Sequence, residues 1–239
     1  MALDEWAFSR GLALKRVVRN AFSPAQMRAL RPAILGSPYL AENNLNYRFS
    51  GTRGFSVVFR IEGVDRVRET FPAFAPYLDH VLDARCNAFF LNPLVLGEAP
   101  DEGSTGARVA PHVDRSLRSY TLPMEPPNPH FVTVLYVEVP KGMQGGVLRL
   151  YHRLLPVGRV IPREGDLVWF QGGLRHEVTA VRVGAGQQRV SLVCEHYQLP
   201  AALLERIPVF TVRSTRGFEG FLAAEIERAA RDGGGGSGG

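Results

Sequence analysis

From Ala107 to Leu199 the chain is a succession of short apolar runs cut apart by turn-forming residues. The runs are "ARVAPHVD", "HFVTVLYVEVP", "GGVLRLYH", "DLVWFQGG", "RHEVTAVRV" and "QRVSLVCEHYQL". Between them stand "PMEPPNP", "PKGMQGG", "PREGD" and "GAGQQ". The runs are rich in β-branched and aromatic residues, and none is long enough for a large helix. Such strands at such spacing restrict the fold to an antiparallel sandwich, a jelly roll or a barrel. "CNAFFLNPLVLG", just upstream, reads as one more strand.

The first part of the chain is mixed. In "SPAQMRALRPAIL", Ser23 is placed to cap a helix whose first residue is Pro24. "VDRVRETFPAFAPYLDHVLDARC" has helical apolar spacing, with a break expected at Pro72 and Pro76. "NYRFSGTRGFSVVFRIEG" predicts a hairpin turning at Gly51 to Gly54. Residues 217–231 predict a last helix, and "GGGGSGG" at 233–239 reads as a flexible linker or tail. No repeat, long linker or shift in composition divides the chain. The expectation is one domain over residues 1–232: helical support to about 85, a β core from 86 to 200, then the final helix.

Composition excludes some classes. Of 239 residues 45% are hydrophobic and 21% charged, an ordinary globular balance. The net charge of +5 is spread along the chain without a Lys/Arg block, so a nucleic-acid partner is not indicated. No apolar run is long enough to span a bilayer, and the early acids of "MALDEWAFSRG" do not suit a secretory signal. The two cysteines, Cys86 and Cys194, lie in apolar runs and are expected as buried thiols. A cytoplasmic protein is expected; the oligomeric state is left open.

"RVAPHVDRS" contains His112 and Asp114, separated by one valine. On a strand, residues i and i+2 project to one face, so the pair offers two adjacent coordination positions. Alone, His-x-Asp is commonly a hydrogen-bonded polar pair. A third ligand must come from elsewhere, and His80, His130, His152, His176 and His196 are available. His176 is the best placed, because it follows the strand "DLVWF" and the pair Gly172-Gly173. Two histidines and one carboxylate on one side of a metal form the facial triad of non-haem Fe(II) oxygenases, which leaves positions open for substrate and oxygen.

Arg189 and Ser191, in "QQRVSLV", again share a strand face. If the next strand runs antiparallel to that of His176, Arg189 reaches deep into the same cavity. A buried guanidinium needs an anion and pairs bidentately with a carboxylate. Taken by itself, Arg189 is more readily read as the partner of an internal acid or as a surface arginine; it gains its meaning beside the triad.

In order and spacing, His112, Asp114, His176, Arg189 and Ser191 resemble the pattern of the 2-oxoglutarate/Fe(II)-dependent dioxygenases, close to the prolyl 4-hydroxylase-like branch. "FVTVLYVEVPKGMQGGVLRLY" and "REGDLVWF" resemble that family's intervening strands, so the likeness covers about Cys86 to Gln198. The resemblance implies a mainly β (α+β) fold: a double-stranded β-helix, jelly-roll or cupin-like, with N-terminal supporting helices. It implies Fe(II) on His112, Asp114 and His176, and 2-oxoglutarate on the iron with its far carboxylate on Arg189 and Ser191. O2 is the oxidant and ascorbate a possible stimulant. The implied reaction hydroxylates an unactivated C–H bond and decarboxylates 2-oxoglutarate to succinate. Asp114 favours hydroxylation over halogenation, since halogenating members carry a small residue there. The sequence lacks the tyrosine that often precedes His-x-Asp in the family. Phe89, Asn92 or Tyr136 is the expected substitute. No second arginine follows Arg189 before Arg206, which argues against nucleobase repair.

The substrate class implied is an amino acid, a peptide residue or a natural product. Residues 97–106 and 122–130 are candidate lids, the hairpin at 46–60 a candidate wall, and Arg115 and Arg118 candidate contacts for a substrate carboxylate. Trp169 is expected in the core. The alternative is a metal-binding cupin, an isomerase or binding module without oxygenase activity, and after it an inactive scaffold.

Overall fold

The computed structural model describes residues 7, 8, 10–42, 49–97 and 106–215. Among them are fifteen strands: β1 (Lys15–Val18), β2 (Ala41–Glu42), β3 (Phe49–Ser50), β4 (Thr52–Gly54), β5 (Ser56–Arg60), β6 (Ala88–Leu96), β7 (Ala107–His112), β8 (Phe131–Glu138), β9 (Gln144–Gly145), β10 (Leu148–His152), β11 (Leu155–Val160), β12 (Leu167–Gln171), β13 (Arg175–Arg182), β14 (Arg189–Tyr197) and β15 (Phe210–Arg213). The helices are α1 (Pro24–Leu35), α2 (Val64–Thr70), α3 (Ala75–Val81) and the single turns α4 (Arg118–Thr121) and α5 (Ala201–Leu204).

The strands form two sheets. One runs β1-β12-β8-β14-β6-β4-β2, with β5 also on β6 and β15 on β5. The other runs β11-β10-β13-β7-β3, with β9 on β13. All pairings are antiparallel, as a jelly roll requires. The large sheet is buried on both faces, and period-two alternation divides its residues. On β14, Val190, Leu192 and Cys194 pack toward the helices, with Met27, Leu30 and Ile34 of α1 and Tyr77 and Leu78 of α3. Arg189, Ser191, Val193 and Glu195 face the other way, into a cavity between the sheets.

Several local readings hold. Ser23 caps α1 with Pro24 as its first residue. Gln26 closes a capping box, its amide oxygen accepting from the Ser23 N–H at 2.8 Å while Ser23 Oγ accepts from the Gln26 N–H at 3.3 Å. The helical run over 64–81 breaks at Phe71-Pro72 into α2, a 3₁₀ turn at Pro72–Phe74, and α3. Cys86 and Cys194 are buried free thiols, and Trp169 lies in the core. Among the described residues no helix is long and apolar enough to cross a membrane.

Other readings are corrected. The hairpin expected at 46–60 does not form: β3 pairs with β7 in the small sheet, whereas β4 and β5 both pair with β6 in the large one. Gly51, at φ +65°, turns the corner between the sheets, a left-handed conformation suited to glycine. The N-terminal segment is therefore not only helical support; it supplies five strands. Arg189 is not on a strand beside His176. β13 belongs to the small sheet and β14 to the large one, so the two residues face each other across the cavity. Consecutive jelly-roll strands cross between sheets, which a hairpin assumption overlooks. The helix expected at 217–231 and most of the 97–106 lid fall outside the described residues.

Candidate active site

β7 and β13 are adjacent, with His112 directly opposite His176 in their register. The strand ends at His112, and Asp114 follows two residues later, buried on the same side. The three side chains converge, with one potential ligand atom from each within 4.8 Å of the others. His112 Nε2 lies 3.1 Å from Asp114 Oδ1, and His176 Nε2 3.4 Å from Asp114 Oδ2. Each imidazole also bonds through Nδ1 to a carbonyl: His112 to Ala110 at 2.8 Å, His176 to Leu174 at 3.1 Å. A carbonyl only accepts, so each ring donates from Nδ1 and turns Nε2 toward the centre, where the Nε2 of His112, hydrogen-bonded to Asp114, must give up its proton to ligate a metal. Phe49 packs edge-on to His112 and Phe170 tilts against His176, which restrains both rings.

The electrostatics match this arrangement. Burial pulls His176 below the ordinary histidine value, with Asp114 opposing. Burial also pulls on His112, but its hydrogen bond and charge contact with Asp114 outweigh it and raise the value. Burial would raise Asp114, and the two histidines together bring it below the ordinary carboxylate range. One anionic oxygen donor and two neutral nitrogen donors, preoriented in a buried cluster, suit a borderline divalent ion such as Fe(II).

The cavity holding this triad encloses about 1070 Å³. On its opposite wall Arg189 is 1% exposed, and its Nε and Nη1 have no hydrogen-bond partner. Ser191 Oγ and Tyr136 Oη are buried without partners beside it. The Arg189 guanidinium carbon lies 5.0 Å from the centre of the Tyr136 ring. Ser191 and Tyr136 are opposed in the register of β14 and β8. Burial lowers the pKa of Arg189, as expected for a cation without an acid beside it. Buried polar groups in native proteins are almost always satisfied. Three donors clustered at one end of a cavity fit a carboxylate that arrives with a small molecule.

Asn92 also lines the cavity, but its amide bridges to backbone. Its NH₂ donates to the carbonyls of Phe55 at 3.0 Å and Pro93 at 2.9 Å, across the gap between β4 and β5. Phe89 is not in the cavity: it faces the helical core and stacks on Phe59 at 5.0 Å, while Phe90 takes the cavity side. Arg115 and Arg118 are both on the cavity wall.

Glu195 is a site residue that the sequence reading missed. It lies two strand positions beyond Val193, on the face of Arg189 and Ser191, and lines the same cavity. It accepts from the Ser116 hydroxyl at 2.5 Å, from the Ser116 N–H at 3.2 Å and from the Tyr197 hydroxyl. Glu195 thus ties the segment after Asp114 to the opposite sheet. Burial, then the charge of Asp114, push its carboxyl up to about 8 against these hydrogen bonds. The period-two step from Arg189 was the available signal.

No family model and no curated protein matches the sequence. Solved structures do. A Pseudomonas putida prolyl-4-hydroxylase aligns at 19% identity and TM-score 0.52, covering 83% of this chain and 100% of its own. An oxidoreductase of the 2OG-Fe(II) oxygenase family from Burkholderia pseudomallei aligns at 14% identity and TM-score 0.52, covering 83% and 92%. A Trichoplax adhaerens prolyl hydroxylase, solved with a hypoxia inducible factor peptide fragment, aligns at 14% and 0.51, covering 80% and 87%. The fold is thus that of the 2-oxoglutarate/Fe(II) oxygenases, prolyl hydroxylases among them.

Proposed function

We propose that this protein is an Fe(II)- and 2-oxoglutarate-dependent oxygenase that hydroxylates an unactivated C–H bond, releasing succinate and carbon dioxide. The observation that carries the reading is one cavity with a His-Asp-His cluster on one side and a buried, unsatisfied Arg189 on the other. His112, Asp114 and His176 hold the iron; Arg189, Ser191 and Tyr136 hold the far carboxylate of 2-oxoglutarate. When bound, the iron and 2-oxoglutarate supply the activation of O2 that breaking such a bond requires.

The chain's own residues bind, orient and exclude water. The Ala110 and Leu174 carbonyls keep both imidazoles in the donor tautomer. Arg189 fixes the co-substrate's orientation by a bidentate charge pair, and Val134, Leu148, Phe170 and Val193 line the cavity with apolar surface. Asn92 does not serve as a third contact: its NH₂ is engaged by the Phe55 and Pro93 carbonyls, and its remaining oxygen only accepts, as do all the oxygens of 2-oxoglutarate.

The substrate is a small molecule or a peptide residue. The peptide complex of the Trichoplax neighbour supports including peptides. A metal-binding cupin without oxygenase activity uses the triad but leaves Arg189 and Ser191 without a task. The test is direct. Fe(II) and 2-oxoglutarate are added without oxygen, and the weak visible charge-transfer band of the chelate is recorded. Air is then admitted and succinate measured. Absence of both signals refutes the oxygenase reading.

A further inference from the structure

The cavity is larger than its co-substrate needs. Pockets that enclose drug-sized molecules span roughly 300–1,000 Å³, and this one encloses about 1070 Å³. Its outer part is positively charged. Among the described residues the acids on its wall are Glu42, Asp114 and Glu195. Asp114 sits between the two histidines, and Glu195 is taken up by Ser116 and Tyr197. Glu42 is exposed.

Four arginines besides Arg189 line the wall: Arg115, Arg118, Arg175 and Arg213. Arg118 is paired with Glu125 at 2.7 Å. The other three have no acidic partner among the described residues. Arg115 Nε donates to the neutral Asn128 side chain at 3.1 Å, and the Arg213 guanidinium lies over the Tyr120 ring at 5.2 Å. Arg175, next to the ligand His176, is exposed at the start of β13. They come from different parts of the fold: Arg175 from the small sheet, Arg213 from β15 of the large one, Arg115 from the segment after Asp114. A cleft lined by one sign of charge over apolar walls concentrates ligands of the opposite sign. Arg189 already accounts for the co-substrate's far carboxylate, so the rim charge is surplus to it.

We propose that the primary substrate carries an anionic group, a carboxylate or a phosphate, held at the cavity mouth by Arg175, Arg213 and Arg115 while the carbon to be oxidised faces the triad. This rests on the oxygenase reading and narrows its substrate class. It separates acids from uncharged amides and esters of the same skeleton.

The test uses matched probes on anaerobic Fe(II)- and 2-oxoglutarate-loaded protein. A panel of amino-acid and hydroxy-acid skeletons is prepared as free carboxylates, as phosphate monoesters and as uncharged amides. Binding is measured by calorimetry, and stimulated succinate release by admitting air. The carboxylate or the phosphate series binds more tightly than its amides by about tenfold or more per arginine engaged. The preference shrinks as salt is raised. Arg175→Gln and Arg213→Gln abolish the preference, while 2-oxoglutarate affinity stays that of the wild type. Whichever acid series binds identifies the anion. If acids bind no better than amides, including the case where neither binds at millimolar concentration, the proposal is overturned. Variants that weaken only 2-oxoglutarate are equally adverse, since the rim then serves co-substrate entry. Failure of the oxygenase reading looks different: the wild type then lacks the chelate band and makes no succinate even without a primary substrate.

Discussion

Arg189 and Tyr136 stand on adjacent strands of the large sheet with the guanidinium carbon 5.0 Å from the ring centre, both side chains fully buried and both with unsatisfied polar atoms. A buried cation without an acid is a cost to the protein that a carboxylate ligand repays. Arg189→Met is therefore expected to stabilise the ligand-free protein, by about 2 kcal/mol. Wild type at 2-oxoglutarate concentrations of about 100 Kd gains about 2.7 kcal/mol, and the variant gains far less. Thermal unfolding with and without 2-oxoglutarate checks both halves. If Arg189→Met melts lower without ligand, the guanidinium is structural.

The triad makes a separate prediction. His112→Ala, Asp114→Ala and His176→Ala each remove one donor from a cluster whose atoms converge within 4.8 Å. Affinity for Mn(II), a redox-inert stand-in for Fe(II), falls by about 100-fold or more, since even the loss of an orienting partner costs 10–100-fold. Fluorescence or calorimetric titration reads this without turnover. His80→Ala is the control, because His80 packs against Phe22 and Trp169, away from the cavity.

The parts of the site that could be read from sequence are those where chemistry and strand parity coincide. His112, Asp114 and His176 are polar residues in apolar strands with no other evident task, and Arg189 and Ser191 share a face by simple alternation. What was hidden depends on which sheet a strand joins. The run from Phe49 to Arg60 has hairpin chemistry, but Gly51 turns it between sheets, and nothing local encodes that. β11, Leu155–Val160, contains Pro156 and Gly158 and is largely exposed, so it carries no burial pattern to read. Glu195 was overlooked for another reason. A single glutamate in "LVCEHY" belongs to no motif, and only the alternation that starts at Arg189 and Ser191 points to it.

Gly172 gives a prediction about the segment at 122–130. A Cβ there would stand 2.0 Å from the Pro129 carbonyl oxygen, whereas one at Gly173 would meet only the flexible Asn128 amide at 3.4 Å. Gly172→Ala must displace residues 122–130, one of the candidate lids, whose Asn128 also bonds Arg115. The expected cost is about 2 kcal/mol of stability, with weaker binding of the primary substrate. Gly173→Ala is expected to be nearly neutral. Chemical denaturation of the two variants decides; equal effects refute the close-approach argument.

Glu195 and His196 are neighbours on β14 that face opposite sides of the sheet and are perturbed in opposite senses. His196, in the core against Phe131 and 3.1 Å from Thr133 Oγ1, is driven by burial to about 3 from 6.5. Glu195 is driven by burial and by Asp114 to about 8 from 4.5. Between pH 6.5 and 3 the unfolded chain takes up a proton at His196 that the folded protein refuses, so stability falls as pH drops. Between pH 4.5 and 8 the unfolded chain releases a proton at Glu195 that the folded protein keeps, so stability falls as pH rises. Each slope is at most about 1.4 kcal/mol per pH unit. They oppose each other from pH 4.5 to 6.5, so their joint contribution is flat there and declines on either side. Urea unfolding of the metal-stripped protein from pH 3 to 9 measures this. Glu195→Gln is expected to lose the decline from pH 6.5 to 8 and His196→Asn the decline below 4.5. If Glu195→Gln follows the wild-type curve above pH 6.5, Glu195 is ionised in the folded protein and its tie to Ser116 and Tyr197 is that of a carboxylate.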